Sequence, residues 1–325
     1  MIRAVMKLSG AFSVLVAGFL LVLVGTARAG ENFAISPGEA ERRLGQEPFE
    51  IIEAKRTASG VAGAQRWRLR YRDGPVVKAK WKAAPNYMAD GWNNSPRREI
   101  AAYEIQKWFL DPQDYVVPPS EVRCIPLAAY REVEPDARPT LRGIDCVYGV
   151  LALWLENVEE PPEIWHPQLF EQGGYYRFSI AATNVLTFLI GHRDGRPANF
   201  LWSTGESRHV YSIDNGISFH AFPYNFLVKN WNGIRVPALP RTIIERLARV
   251  SPEQIRGLAI LRHLEADSAG VLQVKQASEN LDPGEGTRLA GTTLQFGLRA
   301  KEVKEVEERI RKLVQQAESG LLPLF

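Results

Sequence analysis

The sequence predicts an α+β chain, with an antiparallel sheet and one main helix in its first part and mostly helices in its second. Three observations carry this. Residues 66–71 and 76–82 alternate with period two around Asp73-Gly74, a hairpin signal. Residues 96–110 follow Ser95, a suitable N-cap, and begin with Pro96, which suits a first helical turn. Residues 300–318 keep Val303, Val306, Ile310, Leu313 and Val314 at helical spacing, with the many charges forming a solvated face. The chain has 325 residues, 45% of them hydrophobic and 24% charged. That is ample for one two-lobed core or two small ones, and it excludes general disorder.

The elements follow in order. Residues 49–54 form a first strand. A small turn over 57–64 contains Gly60 and Gly63, whose backbone N–H groups can lie over phosphates or simply close a hairpin. In the strand over 76–82, Val77, Ala79 and Trp81 share one face and Lys78, Lys80 and Lys82 the other. That basic face is either solvated or sends one lysine to an anionic ligand. Ile100, Tyr103, Ile105 and Phe109 give the helix over 96–110 a partly apolar face. Glu99 in its first turn either favours the helix dipole or pairs with a strand lysine.

Residues 122–127 and 146–151 read as two strands around a polar stretch, 131–139. Cys124 and Cys146, the two cysteines, are symmetric about residue 135. As a hairpin they would face each other within the roughly 7 Å a bridge requires. A disulfide is expected in an oxidising compartment; the alternative is two buried thiols. No histidine or further cysteine stands at metal-ligand spacing. Residues 147–155 form a long apolar strand, and Glu156 to Pro162 break it. The break separates units over 30–155 and 156–325. Residues 175–190 form a buried helix, and the signals beyond Phe219 are helical.

The net charge is +3, supplied by Arg3, Lys7 and Arg28, because residues 1–29 contain no acids. Nothing in this balance asks for nucleic acid or an anionic membrane surface. Residues 1–29 read as an export signal: a basic start, an apolar run over 11–24, and Ala27-Arg28-Ala29 as a cleavage site. The alternative is an uncleaved anchor over 8–27, uncharged throughout. Both readings place residues 31–325 outside the cytoplasm, in a periplasm, a secretory lumen or the medium. Either way, membrane contact is confined to that segment.

The residues richest in chemistry are His192-Arg193-Asp194-Gly195-Arg196-Pro197-Ala198-Asn199-Phe200 and Ile213-Asp214-Asn215-Gly216. Residues 199–202 and 209–213 read as a hairpin around Thr204 to Ser207. Asn199 and Asp214 lie equally far from its turn, so they should sit opposite each other at its open end. Asp194 falls in the loop just before. An Asp that orients a hydroxyl, then an Asn and a second Asp that hold divalent metal against phosphates, is what a phosphoryl-transfer loop needs.

In this order the motifs resemble the atypical branch of the protein-kinase-like superfamily. The glycine turn, Trp81-Lys82, Glu99-Ile100-Ala101-Ala102-Tyr103, Val117-Pro118-Pro119 and Asp214-Asn215-Gly216 resemble the secretory-pathway kinases of the Golgi casein kinase type. The lead-in Ile190 to Asp194 also resembles phosphatidylinositol 3- and 4-kinases. The resemblance runs from about residue 49 to 220. It implies a two-lobed fold, an antiparallel-sheet lobe over 30–155 with one main helix and a mostly helical lobe over 156–325. It also implies ATP with Mg2+ or Mn2+. Lys82, chosen over Lys80 for the aromatic before it, would bind phosphates and pair with Glu99. Asp194 would be the catalytic Asp, with Asn199 and Asp214 as metal ligands. Gly60 and Gly63 would belong to the phosphate loop, and residues 153–157, Leu155 among them, to the hinge against adenine.

Arg196-Pro197 departs from the secretory kinases, and Asn215 stands where ordinary protein kinases carry Phe. The function implied is phosphoryl transfer to a protein, sugar or lipid hydroxyl. Alternatives are nucleotidyl transfer on the same fold, a catalytically silent kinase-like binding module of the envelope, and a disulfide-bonded structural protein.

Overall fold

The computed structural model describes residues 32–57, 63–86, 91, 95–219 and 231–325. The expected export segment and Gly60 lie outside these residues. Among the described residues no helix is long and apolar enough to cross a membrane.

Helix α1 (Pro37–Gly45) begins where Ser36 Oγ accepts the Glu39 N–H at 3.3 Å. Strands β1 (Phe49–Arg56), β2 (Gln65–Tyr71) and β3 (Val77–Ala83) form an antiparallel meander. Trp67 of β2 and Trp81 of β3 are buried and stack at 4.7 Å between ring centroids, which fixes the face that β3 turns inward. Helix α2 (Pro96–Gln106) is buried on most of its circumference rather than on one stripe. Ser95 makes no side-chain cap; its carbonyl accepts the N–H groups of Arg98 and Glu99 instead.

Strand β4 (Ser120–Pro126) leads into a short helix, α3 (Leu127–Arg131), and β5 (Cys146–Leu153) returns. The sheet order is β1-β2-β3-β5-β4, all neighbours antiparallel. Gly149 of β5 allows β3 its close approach, since a Cβ there would lie 2.5 Å from the Lys82 carbonyl oxygen.

Cys124 and Cys146 form a disulfide across Cα atoms 5.5 Å apart. They are not directly opposite, as symmetry about residue 135 had implied. Cys124 faces Tyr148 and Cys146 faces Pro126, so the bridge is diagonal. The connection between β4 and β5 opens with α3 rather than a bare turn, so equal spacing does not set the register. Reducing the bridge, which spans 22 residues, is expected to cost about 3 kcal/mol by loop entropy, read as a lower urea midpoint in reductant.

After β6 (Val158–Glu159) come α4 (Pro167–Gln172) and α5 (Gly174–Leu189), then β7 (Phe200–Ser203) and β8 (Val210–Ser212), which pair with β6 in a three-stranded sheet. Helices α6 (Arg241–Leu247) and α7 (Pro252–Gly257) follow. The next segment corrects the helical reading of the second half. Strands β9 (Arg262–Ala266), β10 (Leu272–Lys275), β11 (Thr287–Ala290) and β12 (Thr293–Phe296) form a four-stranded antiparallel sheet in the order β10-β9-β12-β11. Each strand is four or five residues long, and β10 buries only its first residue, so no alternation marked it in the sequence. Helix α8 (Ala300–Glu318) ends the order of elements, with the bounds its periodicity predicts.

One core runs from Phe33 through the sheet and α5 to α8. A second lies between β4–β5 and the four-stranded sheet. It contains Val122, Tyr148, Leu264, Leu294 and Phe296, and the disulfide belongs to it.

His209 is fully buried beside β8, its Nε2 3.3 Å from the Tyr115 carbonyl oxygen and its ring 4.5 Å from that of Tyr211. Burial pushes its pKa down to about 4. The unfolded chain therefore takes up this proton first, and stability present above about pH 6.5 is lost as pH falls towards about 4. His209 should contribute roughly 2–3 kcal/mol of this loss. Replacing it with Gln should flatten the fall in denaturation midpoint between about pH 7.5 and about pH 4.5.

Candidate functional site

Strand β3 presents three lysines on one face, with side-chain exposures of 45% at Lys78, 23% at Lys80 and 7% at Lys82. Lys78 Nζ pairs with Glu156 Oε1 at 2.7 Å. Lys82 Nζ lies 3.3 Å from Glu99 Oε1 on the first turn of α2 and 3.5 Å from Asp214 Oδ1. Lys80 Nζ meets the same Asp214 oxygen at 2.5 Å. The other Glu99 oxygen, Oε2, accepts the Asn215 N–H at 3.0 Å. Glu99 thus ties the buried lysine to the turn that carries Asp214.

The charges support one another. Burial opposes the ammonium of Lys82, but the carboxylates of Asp214 and Glu99 outweigh it and hold its pKa above the usual lysine value. Burial likewise opposes ionisation of Asp214, and Lys82 and Lys80 override it, holding the carboxyl well below its ordinary range. Asn215 is buried, and its Oδ1 accepts the Ser212 hydroxyl at 2.8 Å, so a polar side chain is satisfied there.

On the other side of the site, α5 ends at Leu189 and the chain turns through Gly191, whose φ is +58°. A Cβ at Gly191 would lie 2.8 Å from the Arg309 guanidinium of α8, which donates to the Leu189 carbonyl oxygen at 2.9 Å. The loop then brings Asp194 against Asn199, which ends a 3-10 turn over Pro197–Asn199. Asn199 Nδ2 donates to the Asp194 carbonyl oxygen at 2.7 Å and to its Oδ2 at 2.8 Å. Arg196 Nε lies 3.4 Å from the same Oδ2. His192 is fully buried close to both Asp194 and Asp214, and burial lowers its pKa to about 4 despite those carboxylates. Its Nδ1 accepts the Asp194 N–H at 3.4 Å, so the neutral ring carries its proton on Nε2.

The hairpin is offset by one residue from the expected symmetry. Phe200 pairs with Ser212, and Asn199 accepts the Ile213 N–H at 2.9 Å. Asp214 therefore lies one step beyond Asn199's partner. A left-handed backbone at Asp214, φ 56°, turns the chain there, and its carboxylate meets the β3 lysines.

The two oxygen-donor side chains named as metal ligands are thus a carboxylate and a carboxamide. These are hard donors of the kind Mg2+ and Mn2+ take together with substrate phosphates. Among the described residues, no group of three or more His, Cys, Asp or Glu is gathered as a metal cluster.

Gly63 has φ +69° in open space, a backbone that glycine adopts without strain. Leu155 is buried and bridges Phe33, just past the β5 residues that pair with β3. Two features escaped the sequence. Alternation put all three lysines on one face without ranking them, so the Lys80–Asp214 contact was invisible. His192 was legible only as part of a motif. Beside the loop, an open groove of about 570 Å3 is lined by Ile164, Trp165, Gly195, Pro197, Trp231 and Arg235, among others.

No protein-family model matches the chain, and no curated protein matches it. Solved structures do show a likeness. One described as hydra Fam20 with sugar has a TM-score of 0.49 and 15% identity, covering 88% of this chain and 95% of that one. The Golgi casein kinase has a TM-score of 0.46 and 12% identity, covering 86% of this chain and 75% of that one. Its form with Mn/ADP bound has the same score and identity, covering 86% and 74%. These are structures to which the chain is similar, while the likeness to phosphatidylinositol kinases rests on Ile190 to Asp194 alone.

Proposed function

We propose that the protein is an ATP-dependent phosphotransferase of two-lobed, kinase-like build, with lobes over 30–155 and 156–325. The observation that carries this reading is the network joining Lys82, Glu99, Asp214 and the Asn215 backbone. It draws β3, α2 and the turn after β8 to one point across 132 residues of sequence. A buried lysine held by a glutamate and aimed at a carboxylate is what positioning a polyphosphate requires.

Lys82 binds the phosphate oxygens, and Glu99 keeps its ammonium in place. Asp194 orients the acceptor hydroxyl and takes its proton, while Asn199 holds the Asp194 carboxylate through the 2.8 Å bond. Asn199 Oδ1 and Asp214 would hold Mg2+ or Mn2+, which when bound neutralises charge on the phosphates. Gly60 and Gly63 would cover the phosphates, and Leu155 would contact adenine.

The groove beside Gly195 and Pro197 supports an acceptor approaching from that side. The disulfide supports an oxidising compartment, hence export through residues 1–29. Nucleotide with Mn2+ is expected to raise the thermal midpoint of the protein and to be turned over, and Asp214→Ala should lose both effects. A wild-type protein with no metal-dependent nucleotide binding would sink the proposal.

A further inference from the structure

Lys80 has no assigned role in the reading above, yet it makes the shortest contact to Asp214, 2.5 Å against 3.5 Å for Lys82. The two lysines also differ in freedom. Lys82 is 7% exposed and fixed by Glu99, whereas Lys80 is 23% exposed and pairs with Asp214. The four side chains in contact, Lys80, Lys82, Glu99 and Asp214, carry two positive and two negative charges, which balance. With one lysine fewer, the set would be net negative and would attract a divalent cation unaided. With Lys80 present, a dication arriving alone meets a neutral site already occupied by an ammonium. A dication arriving with a polyphosphate brings more negative than positive charge, so both lysines keep an anionic partner and the displaced ammonium gains an anion to bind.

We propose that Lys80 holds the Asp214 carboxylate until a divalent cation takes its place, then becomes a second phosphate ligand beside Lys82, so that metal and nucleotide bind as a linked pair. This rests on the reading of Asp214 as a metal ligand. By reciprocity, whatever factor ADP adds to metal affinity, metal adds to ADP affinity.

Free Mn2+, measured by its paramagnetic resonance signal, gives the test without any turnover. The wild type is titrated with Mn2+ alone and with ADP, beside Lys80→Met, Lys80→Gln, Lys80→Arg and Asp214→Ala. Lys80→Met and Lys80→Gln should bind Mn2+ alone roughly tenfold more tightly, the scale on which one adjacent charge acts. The enhancement by ADP should shrink by a similar factor. Lys80→Arg keeps the charge and should behave as wild type. The Lys80 side chain is partly exposed and two neutral replacements are used, so a folding failure in one leaves the other, with its thermal midpoint, to decide.

Equal Mn2+ affinity in wild type and both neutral variants, with Asp214→Ala still weakening it, overturns the role of Lys80 and leaves the metal-ligand reading standing. Mn2+ binding that is absent, or indifferent to Asp214→Ala, overturns both.

Discussion

Asp194→Asn is expected to lower the rate of ATP turnover by roughly 10³-fold, the scale of a lost general base, while nucleotide affinity stays close to wild type. The separation follows from the geometry. The Asp194 side chain bonds Asn199 and lies near Arg196, whereas Lys82 bonds Glu99 and Asp214. Asparagine keeps the shape of the side chain and one acceptor oxygen for Asn199, but loses the charge and the capacity to take a proton. Single-turnover rates with a parallel binding titration would read the two effects apart. An equal loss of binding and rate would place Asp194 among the nucleotide contacts instead.

Arg97→Met is expected to destabilise the fold by about 3–5 kcal/mol, the cost of leaving one partner of a buried pair uncompensated. Arg97, in the first turn of α2, reaches Glu302 in the first turn of α8 with two bonds, 2.6 and 3.1 Å. Both side chains are almost fully buried. The guanidinium also packs on Gly286, where a Cβ would lie 2.6 Å from its Nε. The double variant Arg97→Met with Glu302→Leu should recover part of the loss, because no buried charge is left unpaired, while the Arg299 N–H loses the Glu302 oxygen that caps α8. Denaturant midpoints of the single and double variants check this. Glu99 is two residues beyond Arg97, so the pair also fixes the start of the helix that positions Lys82.

The local parts of this structure were legible in the sequence. Period two around Asp73-Gly74 gave β2 and β3, and helical spacing gave α8 to its terminal residues. The contact between Asp194 and Asn199 lies within one short loop, five residues apart. What was hidden depended on distant partners or weak signals. Arg97 and Glu302 are 205 residues apart, and no periodicity relates them. The β9–β12 sheet has strands too short to alternate visibly, and it gains its apolar burial against β4 and β5. The two hairpin registers were misjudged by one or two residues. A helix interrupts one connection, and a left-handed residue ends the other. Equal spacing from a turn assumes neither. The preference for Lys82 over Lys80 came from a resemblance; in the structure Lys82 meets Glu99. The contact of Lys80 with Asp214 had no signal at all.

A crystal structure of the protein grown with ADP and Mn2+ tests the shared site most directly. The expected result is phosphate oxygens within hydrogen-bond reach of Lys82 Nζ, the Lys82–Glu99 pair intact, and Mn2+ coordinated by Asp214 and Asn199 oxygens at about 2.0–2.6 Å. Nucleotide bound elsewhere, with Lys80 and Lys82 still closed on Asp214, would contradict it.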